Sequence, residues 1–212
     1  MAIQQKLETP TPPNLGYPPE LYERRNFHES YGALNGYFRK LTSVLSALFG
    51  VKGSRYINAP YGAFESLADQ TVAIINTAYA MTFDTTDYSN GVTVVSNTKI
   101  TVTDSGIYNF QWSGQFENTD SQDHDVRVWI KVNGTNLVGS TGFFAVASKH
   151  GIVNGHALIG WNYYLSLNAN DYIELWWETD STTVSLQTYA AASNYPSTAS
   201  LIATMQFVSN TM

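Results

Sequence analysis

The stretch NTDSQDHDVRV holds Asp120, Asp123, His124 and Asp125 close together, and a flexible loop with several carboxylate oxygens is what calcium requires. Asp120, Asp123 and Asp125 are therefore the candidate metal ligands. The stretch lacks the glycine and terminal Glu of the helix-flanked calcium loop, so a solvated turn is the plainer reading and no metal is expected. His150 and His156 flank a loop that contains glycine; two histidines are weak evidence for zinc, although a threefold axis would turn one histidine into three. Glu174 and Glu178 fall on one face of a predicted strand, as glycosidase carboxylates can, and an ordinary solvated face explains them as well. Tyr88, Tyr189 and Tyr195 lie in predicted loops, where aromatic rings either stack on sugars or pack among themselves. No Gly-x-Ser-x-Gly elbow, phosphate loop or dinucleotide fingerprint is present. Cysteine is absent, which removes thiolate nucleophiles, thiolate metal sites and disulfides. The expectation is a non-enzymatic protein without a cofactor.

The composition limits what elements can carry these residues. In 212 residues, 43% are hydrophobic and 14% aromatic, while only 13% are charged, about half the usual share. Such a surface relies on uncharged polar groups or is buried in an assembly. A net charge of −6 without a basic run argues against nucleic-acid binding. The N-terminal MAIQQKLETPTPP lacks the basic-then-apolar design of a secretory signal, and no stretch is apolar enough to insert in a membrane. Synthesis in a cytoplasm is expected.

Five of the seven prolines, Pro10, Pro12, Pro13, Pro18 and Pro19, fall in residues 1–19. This density favours extended polyproline backbone. A disordered tail is one reading; the other is an arm that docks on another protein, with Leu15 and Tyr17 as its anchors. Residues 20–49 are expected to form one helix, with a capping box at Asn26 and Glu29 and an end at Gly50. Its apolar residues Phe27, Tyr31, Leu34, Phe38, Leu41, Leu45 and Leu48 alternate spacings of four and three. That is the repeat of a coiled-coil seam. Gly32 and Gly36 lie off the seam and weaken an isolated helix, so the helix is expected to need partners. Residues 50–60 have the composition of a linker.

From residue 61 to 212 the period changes to two. IYNFQWSGQF alternates Tyr108, Phe110 and Trp112 against polar residues, and VRVWIKV runs into the turn signal Asn133-Gly134. About ten short strands separated by turns read as an antiparallel sandwich. The adjacent aromatics Phe143-Phe144, Tyr163-Tyr164 and Trp176-Trp177 point to opposite faces of their strands. Each pair places one ring in the core and one outside, and repeated outer aromatics imply burial against a copy of the same domain.

The block 60–208 resembles the trimeric jelly-roll heads of the tumour-necrosis-factor and complement globular-head superfamily. The resemblance is carried by AFESL, AYAMTFD, SGIYNFQWSGQF and YYLSLNANDYIELWWE, within which Gly106, Ile107, Tyr108, Phe110, Leu165, Leu167 and Asp171 match the family's strand pattern. INTAYAMTFDTTDYSNGV, SLNANDYIELWWETDST and LNGYFRKL are similar to versions of this head in virion proteins of marine and cyanobacterial tailed phages. The resemblance implies a mainly β protein: an antiparallel jelly-roll sandwich preceded by an extended arm and one α-helix forming a trimeric coiled-coil stalk. It implies a homotrimeric fibre, spike or decoration protein of the virion, held to capsid or tail proteins by its arm. The alternative is a tail adhesin whose head recognises a host surface glycan or protein.

Overall fold

The computed structural model describes residues 10–15, 24–49 and 59–210. The chain divides into two compact units, Met1–Asn58 and Ala59–Met212. In the first, helix α1 spans Arg24–Phe49. The expected capping box does not form: the helix already includes Asn26, and Glu29 instead takes the Arg25 Nε at 3.0 Å, one turn back. Gly50, most of the linker, Tyr17 and the Leu48 side chain lie outside the described residues.

The second unit is mainly β and antiparallel. Among the described residues its strands are β1 (Tyr61–Ser66), β2 (Gln70–Thr71), β3 (Tyr79–Ala80), β4 (Thr85–Asn90), β5 (Val92–Val95), β6 (Lys99–Val102) and β7 (Gly106–Asn118), followed by β8 (His124–Val132), β9 (Thr135–Asn136), β10 (Gly142–Val146), β11 (Gly155–Leu167), β12 (Tyr172–Thr179), β13 (Val184–Leu186) and β14 (Leu201–Ser209). One sheet runs β4-β1-β14-β7-β11, with β13 and β2 continuing beside the end of β7. The other runs β10-β8-β12-β6-β5, with β3 on β12 and β9 on β8. The strands outnumber the ten or so expected because β2 and β9 are two-residue pairings, and because β4, TTDYSN, has no inward apolar row to announce it.

Alternation explains how the two sheets share one core. Along β7 every second residue from Gly106 to Asn118 is buried, which places Tyr108, Phe110, Trp112 and Phe116 inside. From the facing sheet come Val126, Val128, Ile130, Ile173, Leu175 and Trp177, and Phe116 meets Trp177 edge to face at 5.9 Å. The Tyr108 hydroxyl reaches out of the core to donate to the Asp104 carbonyl at 2.7 Å. Burial of this apolar surface is the dominant favourable contribution to the fold.

Turn chemistry sets the register. Asn133 and Gly134 both have positive φ, 50° and 81°, as a two-residue hairpin turn requires. The Asn133 side chain ties this turn to β12: its Nδ2 donates to Asp171 at 2.8 Å and its Oδ1 accepts from the Tyr172 backbone at 3.0 Å. At the start of β11, Gly155 is required because a Cβ would collide with the Ala147 carbonyl oxygen.

Candidate functional site

The aspartates expected as metal ligands are placed side by side but turned to different partners. Asp120 takes His124 Nε2 at 2.9 Å, and the other ring nitrogen, Nδ1, lies 3.1 Å from Asp180. With a carboxylate at both nitrogens, the imidazolium form can donate to both. The His124 hydrogen bond holds the Asp120 carboxyl below the usual carboxylate range. Asp123 accepts from the Ser148 backbone at 2.7 Å, which lowers its pKa, while Asp125 is exposed on β8 opposite Ala145. No group of three acidic, histidine or cysteine side chains among the described residues is arranged to hold a metal ion. The cluster instead staples the β7–β8 loop to the β12–β13 turn.

His150 and His156 also go separate ways. The His150 backbone pairs with Val153 in the β10–β11 turn. His156 lies on the outer face of β11, with Nδ1 at 2.9 Å from the Tyr189 hydroxyl, which donates to Glu117 at 2.7 Å. Burial, with the Glu117 carboxylate adding to it, pushes the Tyr189 hydroxyl well above its ordinary pKa. That hydroxyl stays protonated, as a structural link rather than a nucleophile. Tyr189 is thus packed against His156 and not free to stack on a sugar, whereas Tyr88 and Tyr195 are exposed at 68% and 53%. Tyr88 sits on β4, three strands from β7 and Glu117, so the three tyrosines form no common platform.

Glu174 and Glu178 share one face of β12, but four residues of strand separate their Cα atoms by about 13 Å. Glycosidase carboxylates work at roughly 5–9.5 Å. Each has its own partner: Glu174 accepts from the Thr98 hydroxyl at 2.8 Å and Glu178 pairs with Arg127 at 2.9 Å.

The aromatic doublets divide as their strand positions dictate. Trp177 is buried and Trp176 half-buried; Phe144 and Tyr163 are half-buried; Phe143 and Tyr164 are exposed at 68% and 64%. Two of the outer rings belong to edge strands of the two sheets, Phe143 to β10 and Tyr164 to β11. Strand β11 pairs with β7 along one side, and among the described residues its other side has no strand partner. Gly142 of β10 lies against the Trp161 ring of β11. β10 and β11 thus meet along this margin, with Phe143 facing outward beneath the Arg127 guanidinium at 5.1 Å and with Tyr164 and the 69% exposed Leu158 on the outer face of β11.

The helix shows the same excess of exposed apolar surface. On the seam Phe27, Tyr31, Phe38 and Leu45 are 44–61% exposed, and Leu34 and Leu41 are half-buried. About half a turn away, Gly32, Gly36, Tyr37 and Lys40 face Pro10, Thr11 and Pro13 across a groove of about 690 Å³. The proline segment therefore lies beside its own helix, on the side away from the seam, with Leu15 exposed at 46%.

Sequence reasoning did not single out Arg127, Trp129 and Lys131. They form the outward row of VRVWIKV, and the alternation that marked the strand also gave their common face. No helix among the described residues is long and apolar enough to cross a membrane. No family model matches the chain, and no curated protein matches it either.

Proposed function

We propose that the chain is a homotrimeric, non-enzymatic structural protein of a tailed-phage virion, with a jelly-roll head, a three-stranded helical stalk and an N-terminal arm that docks on capsid or tail proteins. The observation that carries this reading is the exposed seam. A single helix with Phe27, Tyr31, Phe38 and Leu45 in water leaves a continuous apolar stripe uncovered, and a 3.5-residue repeat is the pattern that other copies of the same helix bury. The unpaired side of β11, whose outer face carries Tyr164 and Leu158, makes an independent demand for a copy, since a long strand edge with apolar flanks invites association. The strand orders β1-β14-β7-β11 and β6-β12-β8-β10 support the jelly-roll assignment, because neighbours far apart in sequence are what that winding produces. Three linked arms hold a particle by avidity even when each docks weakly.

Light scattering on the purified full chain tests the reading. The expected mass is about 70 kDa, three times the 23.5 kDa of one chain. A mass of one chain would refute it.

A second reading, a tail adhesin that recognises a host surface glycan or protein, is favoured by a different surface. The outer face of the β10-β8-β12 sheet carries two neighbouring tryptophans, Trp129 and Trp176, which are only half-buried.

A further inference from the structure

Strands β8 and β12 place three cross-strand rows on the outer face of their sheet: Arg127 opposite Glu178, Trp129 opposite Trp176, and Lys131 opposite Glu174. A tryptophan pair is thus bracketed above and below by a cation and a carboxylate. Their inward neighbours Val128, Ile130, Leu175 and Trp177 are buried, so the outward side chains stand on a rigid floor, and of the six Glu174 is itself buried at 7%, beneath the row.

The polar atoms are held in place. Arg127 bonds Glu178 at 2.9 Å, and the Trp129 indole donates to Asn136 at 3.0 Å. Lys131 Nζ lies 3.4 Å from the centre of the Trp176 ring. Trp129 is half-buried, and among the described residues no cation and no second ring stacks on it, so the exposed part of its ring is what a ligand can meet.

We propose that this face is a binding platform for a neutral glycan, with a pyranose ring stacked on Trp129 and its hydroxyls bridging the Arg127–Glu178 pair. The inference rests on the adhesin reading and is independent of the stalk. Two cations against two carboxylates give the platform no net charge, which suits a neutral ligand. A donor, Arg127, beside an acceptor, Glu178, next to an aromatic face matches the apolar face and hydroxyl rim of a sugar. Nucleic acid would need a surplus of cations. Another copy of the chain fits less well, because the centre of a protein interface is depleted of charged residues.

The test uses the full chain labelled with 5-fluorotryptophan, whose five tryptophans give separable fluorine resonances. Cellobiose, maltose, lactose and diacetylchitobiose are titrated in turn, with a sulfated heparin disaccharide as the charged comparison. At least one neutral disaccharide should shift the Trp129 and Trp176 signals saturably while the buried Trp112 and Trp177 signals stay fixed. Trp129→Ala should weaken that binding by about tenfold or more, and Glu178→Gln should weaken it as well. Unmoved Trp112 and Trp177 signals establish that each variant is folded. The platform is overturned if no neutral disaccharide moves Trp129, or if only the sulfated one does. Sugar binding that survives Trp129→Ala also removes the platform, while leaving the adhesin reading in place.

Discussion

At the scale of single residues, Asp69 and Asp171 respond to pH with one sign and Glu65 with the other. Asp69 accepts from the Thr188 hydroxyl at 2.6 Å, the Thr188 backbone at 2.7 Å and Gln187 at 2.8 Å, and these bonds hold its carboxyl below the usual range. Asp171 is lowered in the same way, first by the Asn168 backbone and then by Asn133. For both, folding favours the charged form, so their stabilisation is full above the unfolded value near ~4 and is lost as pH falls through the lower folded value. Glu65 behaves in reverse. Burial raises its pKa, and Asp87 and Asp84 add to the rise, so ionised Glu65 costs stability at neutral pH and that cost is relieved as pH falls. Glu65→Gln should therefore stabilise the fold at pH 7 by about 0.5 kcal/mol, a modest value because water screens the site, and the gain should vanish at pH 3. Asp69→Asn should destabilise at pH 7 and flatten the loss on acidification. Urea unfolding of both variants at pH 7, 5 and 3 checks the signs. The aspartate row at 120–125 was legible as a cluster, but not its partners: Asp180 and Ser148 come from turns far along the chain, and only the fold brings them there.

At the scale of elements, regular alternation made strands readable and its lack hid them. The apolar runs at 92–95 and 99–102 read as strands and are β5 and β6, while the runs 107–116, 126–132, 157–167 and 172–178 read as strands that β7, β8, β11 and β12 extend by a residue or two. β1 falls within the head, where AFESL carries the family resemblance without being singled out as a strand, and β4 is not marked because an edge strand with an exposed face needs no apolar row. The stretch 184–191 reads in the sequence as one strand, but it is strand only to Leu186, since beyond it Gln187 and Thr188 turn to Asp69. The helix repeat was fully legible, and the meaning of its glycines was not. A Cβ at Gly32 or Gly36 meets nothing within 4 Å, so neither glycine is required by contacts within one chain. Alanine at each position should stabilise the helix by about 0.5–1 kcal/mol, read as a higher melting temperature by circular dichroism at 222 nm. A lower melting temperature would show that the groove beside the proline segment is filled by a close neighbour in the assembly.

At the scale of the whole molecule, the proposed trimer rests on two surfaces on two separate units, and the question is whether either would suffice alone. The seam is one helix long, and a helix weakened by two glycines gains most of its order from association. The β11 margin offers a different kind of contact: backbone donors and acceptors along a strand of 13 residues, beside the ring of Tyr164. A rigid sheet loses little conformational freedom on docking, whereas the seam must order its side chains and its helix together. The β unit should therefore dominate assembly, with the helix aligning the chains. Residues 59–212 expressed alone should remain three chains by light scattering, and Leu158→Lys with Tyr164→Lys should reduce that species to one chain while the two-sheet core, which neither side chain enters, stays folded. If residues 59–212 are monomeric while the full chain is trimeric, the seam carries the association and the β11 margin is open to another protein.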